Sequence, residues 1–199
     1  MGDSLKQRGR PRSFDETEVL DKALLLFRSK GYEGTSIADL TETLGLNKPS
    51  LYAAFGNKKE LFRKALAKYI AGPVRYAREA LSAATARETV AMLLMQSAEF
   101  LTSPDLPRGC LLVHGALSCG ESGREVQQEL IRHRLAFEEA LRDRFEDAKA
   151  QGEFNEDFDA AAMAKYIATV HQGMSVQAIG GASRDELVAV AETVLKHWP

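Results

Sequence analysis

Apolar residues recur along this chain at three- and four-residue intervals, and no stretch alternates apolar with polar for long enough to read as a strand. Asp15 can cap a helix whose apolar positions Val19, Leu20, Ala23, Leu24 and Phe27 keep a 3.6-residue period until Gly31 stops it. Thr35 or Ser36 can cap a second, with Ile37, Leu40 and Leu44 inward and Gly45 just past its end. Asn47 starts a third, with Pro49 in the first turn, where its missing N–H costs little, and Gly56 stops it. Asn57 caps a fourth carrying Leu61, Phe62, Ala65 and Leu66, and Pro73 marks a kink or restart. Further on, the pattern predicts helices near 87–102, 106–119, 123–151, 159–179 and 184–197, separated by Ser103-Pro104, Gly120, Gly152 and Gly180-Gly181. The predicted fold class is all-α, with about nine helices: a basic arm over 1–13, a three-helix head within 14–66 and a larger bundle over 67–199.

The third helix is the informative one. From Asn47 to about Ala54 it is roughly 12 Å long and cannot be stable alone, so Leu46, Leu51, Phe55 and the inner side of Tyr52 must pin it to its neighbours. Its remaining face presents Lys48, Pro49 and Ser50, which suits a helix that enters a DNA major groove about 12 Å wide by its N-terminal residues. Lys48 and Ser50 can read base edges, and Pro49 can touch a thymine methyl. Thr35 and Ser36 lie at a helix N-terminus, which favours a phosphate. Lys58 and Lys59 lie at another, where a cation gains nothing from the dipole unless an external anion joins it. A small helical subdomain with a merely solvated polar face is the alternative.

Charge supports the first reading. The 199 residues carry a net charge of −2, yet residues 1–64 hold 12 Lys+Arg against 9 Asp+Glu, which leaves an excess of acids in the rest. Lys6, Arg8, Arg10 and Arg12 face only Asp3 within the first 13 residues. Arg10 and Arg12, on a Pro-stiffened strand, suit a narrow A·T minor groove, although a solvated tail has the same composition. Two cysteines are too few for a disulfide framework, no run of 18 apolar residues appears, and a cytoplasmic protein with no membrane contact is expected. No Gly-rich phosphate loop, His-Glu-x-x-His, Glu-x-x-His or nucleophile elbow is present, so an enzyme is not expected and no cofactor is implied.

With these residues in place, the segment FDETEVLDKALLLFRSKGYEGTSIADLTETLGLNKPSLYAAFGNKKELFRKAL resembles the DNA-binding domain of the TetR family of bacterial transcriptional regulators. GYEGTSIADL, the Gly45 turn, Leu51-Tyr52-x-x-Phe55 and Lys58-x-x-Leu61 carry the resemblance over roughly residues 14–66. It implies phosphate contacts at Thr35, Tyr52 and Lys58 and a recognition helix over 47–53. Ala54 stands where many members have His, and Pro49 where many have Gly. The resemblance also implies a homodimer on a palindromic operator, a small-molecule inducer of unknown identity, and repression rather than activation. An architectural DNA binder with no ligand is the rival.

For the bundle, the resemblance implies a ligand pocket and a dimer face on the last two helices; PRGCLLVHGALSCG looks like one subgroup. The dimer face is expected at Met163, Ile167, Val170, Ile179, Leu187, Val190, Val194 and Trp198, because the helix near 159–179 is apolar on more faces than one core contact requires. A monomeric core is the alternative. Pocket walls are expected from Met92, Met95, Phe100, Leu117, Phe137, Tyr166 and Met174, although plain core packing suits each of them, with Cys110, His114 and His171 beside them. Cys110 and His114, at i and i+4, can hold a soft metal or form a buried thiol beside a hydrogen-bonded imidazole. No third ligand is evident beyond a distant His171, and no metal is expected. Glu129 and His133 share that spacing in a strongly charged helix and read as a surface pair.

Overall fold

The computed structural model describes residues 14–199, and the basic arm with Arg10 and Arg12 lies outside them. Among the described residues the secondary structure is helical: α1 (Glu16–Lys30), α2 (Ile37–Leu44), α3 (Lys48–Phe55), α4 (Lys58–Ala71), α5 (Arg75–Ala80), α6 (Ala86–Leu101), α7 (Leu111–His114), α8 (Arg124–Ala150), α9 (Ala160–Ile179) and α10 (Arg184–Lys196), with one 3₁₀ turn at Glu121–Gly123. No described helix is long and apolar enough to cross a membrane.

The helices start where short polar side chains can take an orphan backbone N–H. Asp15, Ser36, Asn47, Asn57, Thr85, Asp159 and Ser183 all accept from a backbone N–H in the first turn that follows. Ser36 forms a reciprocal box: its Oγ accepts from Asp39 N (3.0 Å), and the Asp39 carboxylate accepts from Ser36 N (2.8 Å). Lys30 adds an ion pair to Asp39 at 2.5 Å and, with Ser36, holds that carboxyl well below the usual range.

Gly45 joins α2 to α3 at φ 66°, ψ 28°, the left-handed conformation. A Cβ there would meet nothing within 4 Å, so substitution carries only the backbone penalty. Gly45→Ala is expected to lower unfolding stability by about 1–2 kcal/mol, read from the urea midpoint. An unchanged midpoint would show that the turn tolerates the side chain.

The head is α1 to α4, with Leu40, Leu44, Leu51, Phe55, Phe27 and Phe62 in its core. Phe62 meets the edges of Phe27 and Tyr32 at 5.0 and 5.2 Å. α4 runs unbroken through residue 66, so the expected boundary between head and bundle falls within one helix. In the bundle α8 packs along α9, α6 packs against α5, α9 and α10, and α7 is wedged between α8 and α9.

Two expectations change. The helix expected near 106–119 is only Leu111–His114, because the carbonyls of Pro107 and Gly109 face Arg28 and Gly109 takes φ 82°. The restart after Pro73 is the short α5, which brings the described α-helices to ten rather than about nine.

The head is fastened to the bundle at two places. Near the end of α1, Arg28 is buried, and its Nη2 donates to Pro107 O (2.7 Å) and Gly109 O (3.0 Å). The Arg28 carbonyl accepts from His114 Nε2 (3.0 Å), and Tyr32 N donates to Gly115 O (2.8 Å). On the other side, Lys59 pairs with Glu125 (2.7 Å) and Arg63 with Glu129 (2.8 Å).

Candidate nucleic-acid interface and bundle cavity

α3 has eight residues and divides sharply by face. Leu51 and Phe55 are 1% and 3% exposed, whereas Lys48 and Pro49 are exposed and Tyr52 keeps 39% of its area. Spacing places Leu51 and Phe55, at i and i+4, on one face and turns Pro49 away from it, whereas Lys48 is exposed because it opens the helix and its side chain runs out past the first turn. Asn47 Oδ1 accepts from Ser50 N (2.9 Å), which fixes the first turn and leaves the Ser50 side chain half-buried at its margin. Lys48 Nζ lies 5.8 Å from the centre of the Tyr52 ring, a weak cation–π approach that keeps the ammonium on the outer face.

The flanking groups differ from one another. Ser36 is exposed but engaged in its capping box. Thr35 is fully buried, and its Oγ1 donates to Gly31 O (2.7 Å), so the side chain does not face outward as expected. Lys59 is tied to Glu125 across to α8, which leaves Lys58 as the member of the lysine pair outside that bridge. Lys58 Nζ sits 4.2 Å over the Tyr32 ring, and burial lowers its pKa, opposed by Glu33 and Asp39. It shares one shallow groove with Tyr32, Ile37 and Tyr52. Lys48, Pro49, Ser50, Tyr52 and Lys58 thus lie on or beside one side of the head, with Ser36 at the start of the neighbouring α2.

The bundle holds a cavity of about 310 Å³, within the size range of small-molecule sites. Cys110, Phe137 and His171 line it as expected. The rest of the expected wall does not. Met92, Leu117 and Tyr166 are exposed, Met174 is buried in the core, and Met95 is half-buried against it. Phe100 instead stacks by Arg28, with the guanidinium carbon 4.6 Å from its ring centre. His114 turns to the Arg28 carbonyl, and burial lowers its pKa. Cys110 Sγ accepts from Tyr69 Oη (3.4 Å), and burial pushes the thiol up. The Glu129–His133 surface pair also fails: Glu129 binds Arg63, and His133 lines the cavity.

Sequence reasoning missed the contribution of α5 and, apart from Phe137, that of α8, notably Tyr76, His133 and Arg134. A signal existed for Arg134. It stands on the stripe Leu130, Arg134, Phe137, Leu141, whose other members are apolar and packed inward, so this arginine was bound to face the interior. Arg28, four residues after Leu24 on the buried face of α1, gives the same signal.

The expected dimer face is also revised. Ile167, Leu187 and Val194 are buried within their own chain, and Met163 and Val170 are half-buried against the core. Trp198 packs against Phe145 and Phe154, both at 5.9 Å. α9 is apolar on several faces because it meets α6, α7 and α8 at once. The large exposed apolar residues on α9 and α10 are Tyr166, Val176, Ile179 and Val190, of which only Ile179 and Val190 were expected.

Residues 19–65 match the family described as bacterial regulatory proteins, tetR family, and residues 86–193, more than half of the chain, match a tetracyclin repressor-like C-terminal domain. The HTH-type transcriptional repressor ComR of Escherichia coli (strain K12) is 34% identical over 196 residues, covering 98% of this chain and 93% of its own. The HTH-type transcriptional regulator YezE of Bacillus subtilis (strain 168) is 32% identical over 80% of this chain and 83% of its own. Among solved structures, a cysteine mutant of the TetR family transcriptional regulator CifR, in complex with 26-base-pair double-strand operator DNA, superposes with a TM-score of 0.91 at 42% identity. It covers 96% of this chain and 100% of its own.

Proposed function

The chain belongs to the TetR family of bacterial transcriptional regulators, and on that footing we propose that it acts as a homodimeric repressor that leaves a palindromic operator when a small molecule fills the bundle cavity. The observation that carries the reading is the division of α3, an eight-residue helix with an apolar back and an outer face of Lys48 and Pro49. Two such helices in a dimer meet half-sites about one turn apart, roughly 34 Å or a multiple. Selection of bound duplexes from a random pool is expected to return a near-palindrome with that spacing. Recovery of unrelated sequences would refute the reading.

The partner copy is assigned to the α9–α10 surface that carries Tyr166, Val176, Ile179 and Val190, which is apolar and exposed in the single chain. Ligand action requires only differential affinity: a molecule that fits the cavity better when the two α3 helices are wrongly spaced draws the population to that state. The path is short, because Cys110, Leu112 and Val113 line the cavity while His114 and Gly115 bind the end of α1.

Base reading is assigned to Lys48 and Ser50, with Pro49 as an apolar contact. Backbone phosphates are assigned to Tyr52, Lys58, Ser36 and the backbone at Thr35, and the adjoining minor groove to Arg10 and Arg12. Lys48→Ala is expected to cost about 1–3 kcal/mol on the best operator and less on variants at the contacted base. Equal loss on all variants, measured by competition titration, would move Lys48 to the phosphate contacts.

A further inference from the structure

We infer that the bundle cavity is built for a monocarboxylic acid with an apolar body of about ten to fifteen non-hydrogen atoms, whose carboxylate lies against Arg134 and His171. The inference rests on the sensor reading above and narrows it to one class of ligand.

The wall has an uneven chemistry. Most of it is apolar, with Ile70, Val74, Leu81, Leu112, Val113 and Phe137 supplying the body of the site. Its chargeable side chains include Arg78, His133, Arg134 and His171, and no Asp or Glu lines it. Three arginines of the bundle take acid partners nearby, Arg142 with Glu139 and Asp143, Arg144 with Glu153 and Arg184 with Glu99, whereas Arg108 donates to the carbonyls of Ala178 and Ala182. Among the described residues Arg134 forms no ion pair. Its Nη1 donates to Leu112 O (2.5 Å), and the other guanidinium N–H groups make no hydrogen bond among the described residues. A partly buried guanidinium without a carboxylate leaves its charge uncompensated, and an arriving carboxylate matches its fork.

His171 supplies the second donor. Its ring packs at 5.7 Å from Phe137 on α8, and among the described residues neither ring nitrogen has a hydrogen-bond partner. Burial lowers its pKa to about 4, so it is a neutral imidazole whose N–H can donate to a molecule in the cavity. Amines are disfavoured by the same wall, since they would meet two arginines and no acceptor carboxylate.

The test uses the full chain and a matched series: 4-phenylbutyrate, 4-phenylbutan-1-ol and 4-phenylbutylamine, with octanoate, octan-1-ol and octylamine as a second body, each titrated calorimetrically into the protein without DNA. The acids are expected to bind at least about ten-fold more tightly than the alcohols, with the amines weakest. In Arg134→Met and in His171→Leu the ratio of acid to alcohol affinity should fall towards one. Acids and alcohols binding alike, amines binding best, neither acid binding at millimolar concentration, or a preference that survives both substitutions would each overturn the inference. The wild-type series decides alone should a variant fail to fold. Operator affinity is measured separately: acid binding with no effect on the operator would overturn the sensor reading and leave this one standing, whereas operator binding without acid binding would do the reverse.

Discussion

Replacing Leu51 with alanine abolishes operator recognition and lowers unfolding stability by about 2–5 kcal/mol, the cost of emptying a buried leucine site. Leu51 is almost fully buried and is one of the two buried side chains of α3, Phe55 being the other. Eight residues form too few turns to persist by local hydrogen bonding, so the helix exists only while its back is held. Its start is secured by Asn47 and its end by Gly56, but caps set limits and do not supply packing energy. The expected pattern is a fall in the denaturation midpoint together with loss of operator binding that excess protein does not rescue. Ala53→Ser on the exposed side serves as the control and should leave the midpoint within a few tenths of a kcal/mol. A Leu51→Ala protein with wild-type midpoint and operator affinity would show that α3 is held by other contacts.

Arg28→Met lowers stability by about 2–4 kcal/mol and uncouples the cavity from the operator. Two carbonyls, those of Pro107 and Gly109, lose their donor, and each orphaned buried acceptor costs about 1–3 kcal/mol. The guanidinium also lies 4.6 and 5.6 Å from the ring centres of Phe100 and Tyr69, contacts worth about 1 kcal/mol or more when desolvated. Relief from burying a cation with no carboxylate beside it offsets part of this, which keeps the net value below the sum. Because Arg28 Nη2 grips the loop that leads to Cys110, its loss leaves the end of α1 held to the cavity wall by the His114 and Gly115 bonds alone. A ligand that lowers wild-type operator affinity should then have less than half that effect, in kcal/mol, on the variant. Arg28→Lys should not restore the response, since an ammonium lacks the planar guanidinium that lies against the Phe100 and Tyr69 rings and sits closer to the backbone than Nη2. An undiminished response in Arg28→Met would assign the coupling to another contact.

The head was legible because its determinants are local. Asp15, Ser36, Asn47 and Asn57 sit one position before their helices, and the apolar period of each helix matches the face that is buried. Thr35 was misjudged because a hydroxyl beside a helix start reads as a cap, whereas Ser36 caps and Thr35 turns back to the Gly31 carbonyl. The bundle was less legible, since a cavity belongs to no single segment. α7 and the loop before it depend on Arg28, which lies some eighty positions away in the chain. The choice of pocket residues favoured methionine and large apolar side chains, and these filled the core or faced outward. Arg134 and His171 follow a different rule, in that a chargeable residue on an otherwise buried stripe has to face either a partner or a space.

The Lys59–Glu125 and Arg63–Glu129 bridges carry a consequence for how operator affinity should be measured. Both stand at least partly in water, with the Glu125 side chain mostly exposed, and mobile ions weaken such attractions as they weaken protein–phosphate attractions. A plot of log affinity against log salt concentration therefore records two processes at once: cations leaving the duplex, and the reading head loosening from the body that aims it. The gradient of that plot will exceed the number of phosphates touched, and charge-neutral replacements at positions 125 and 129 are the means of separating the two.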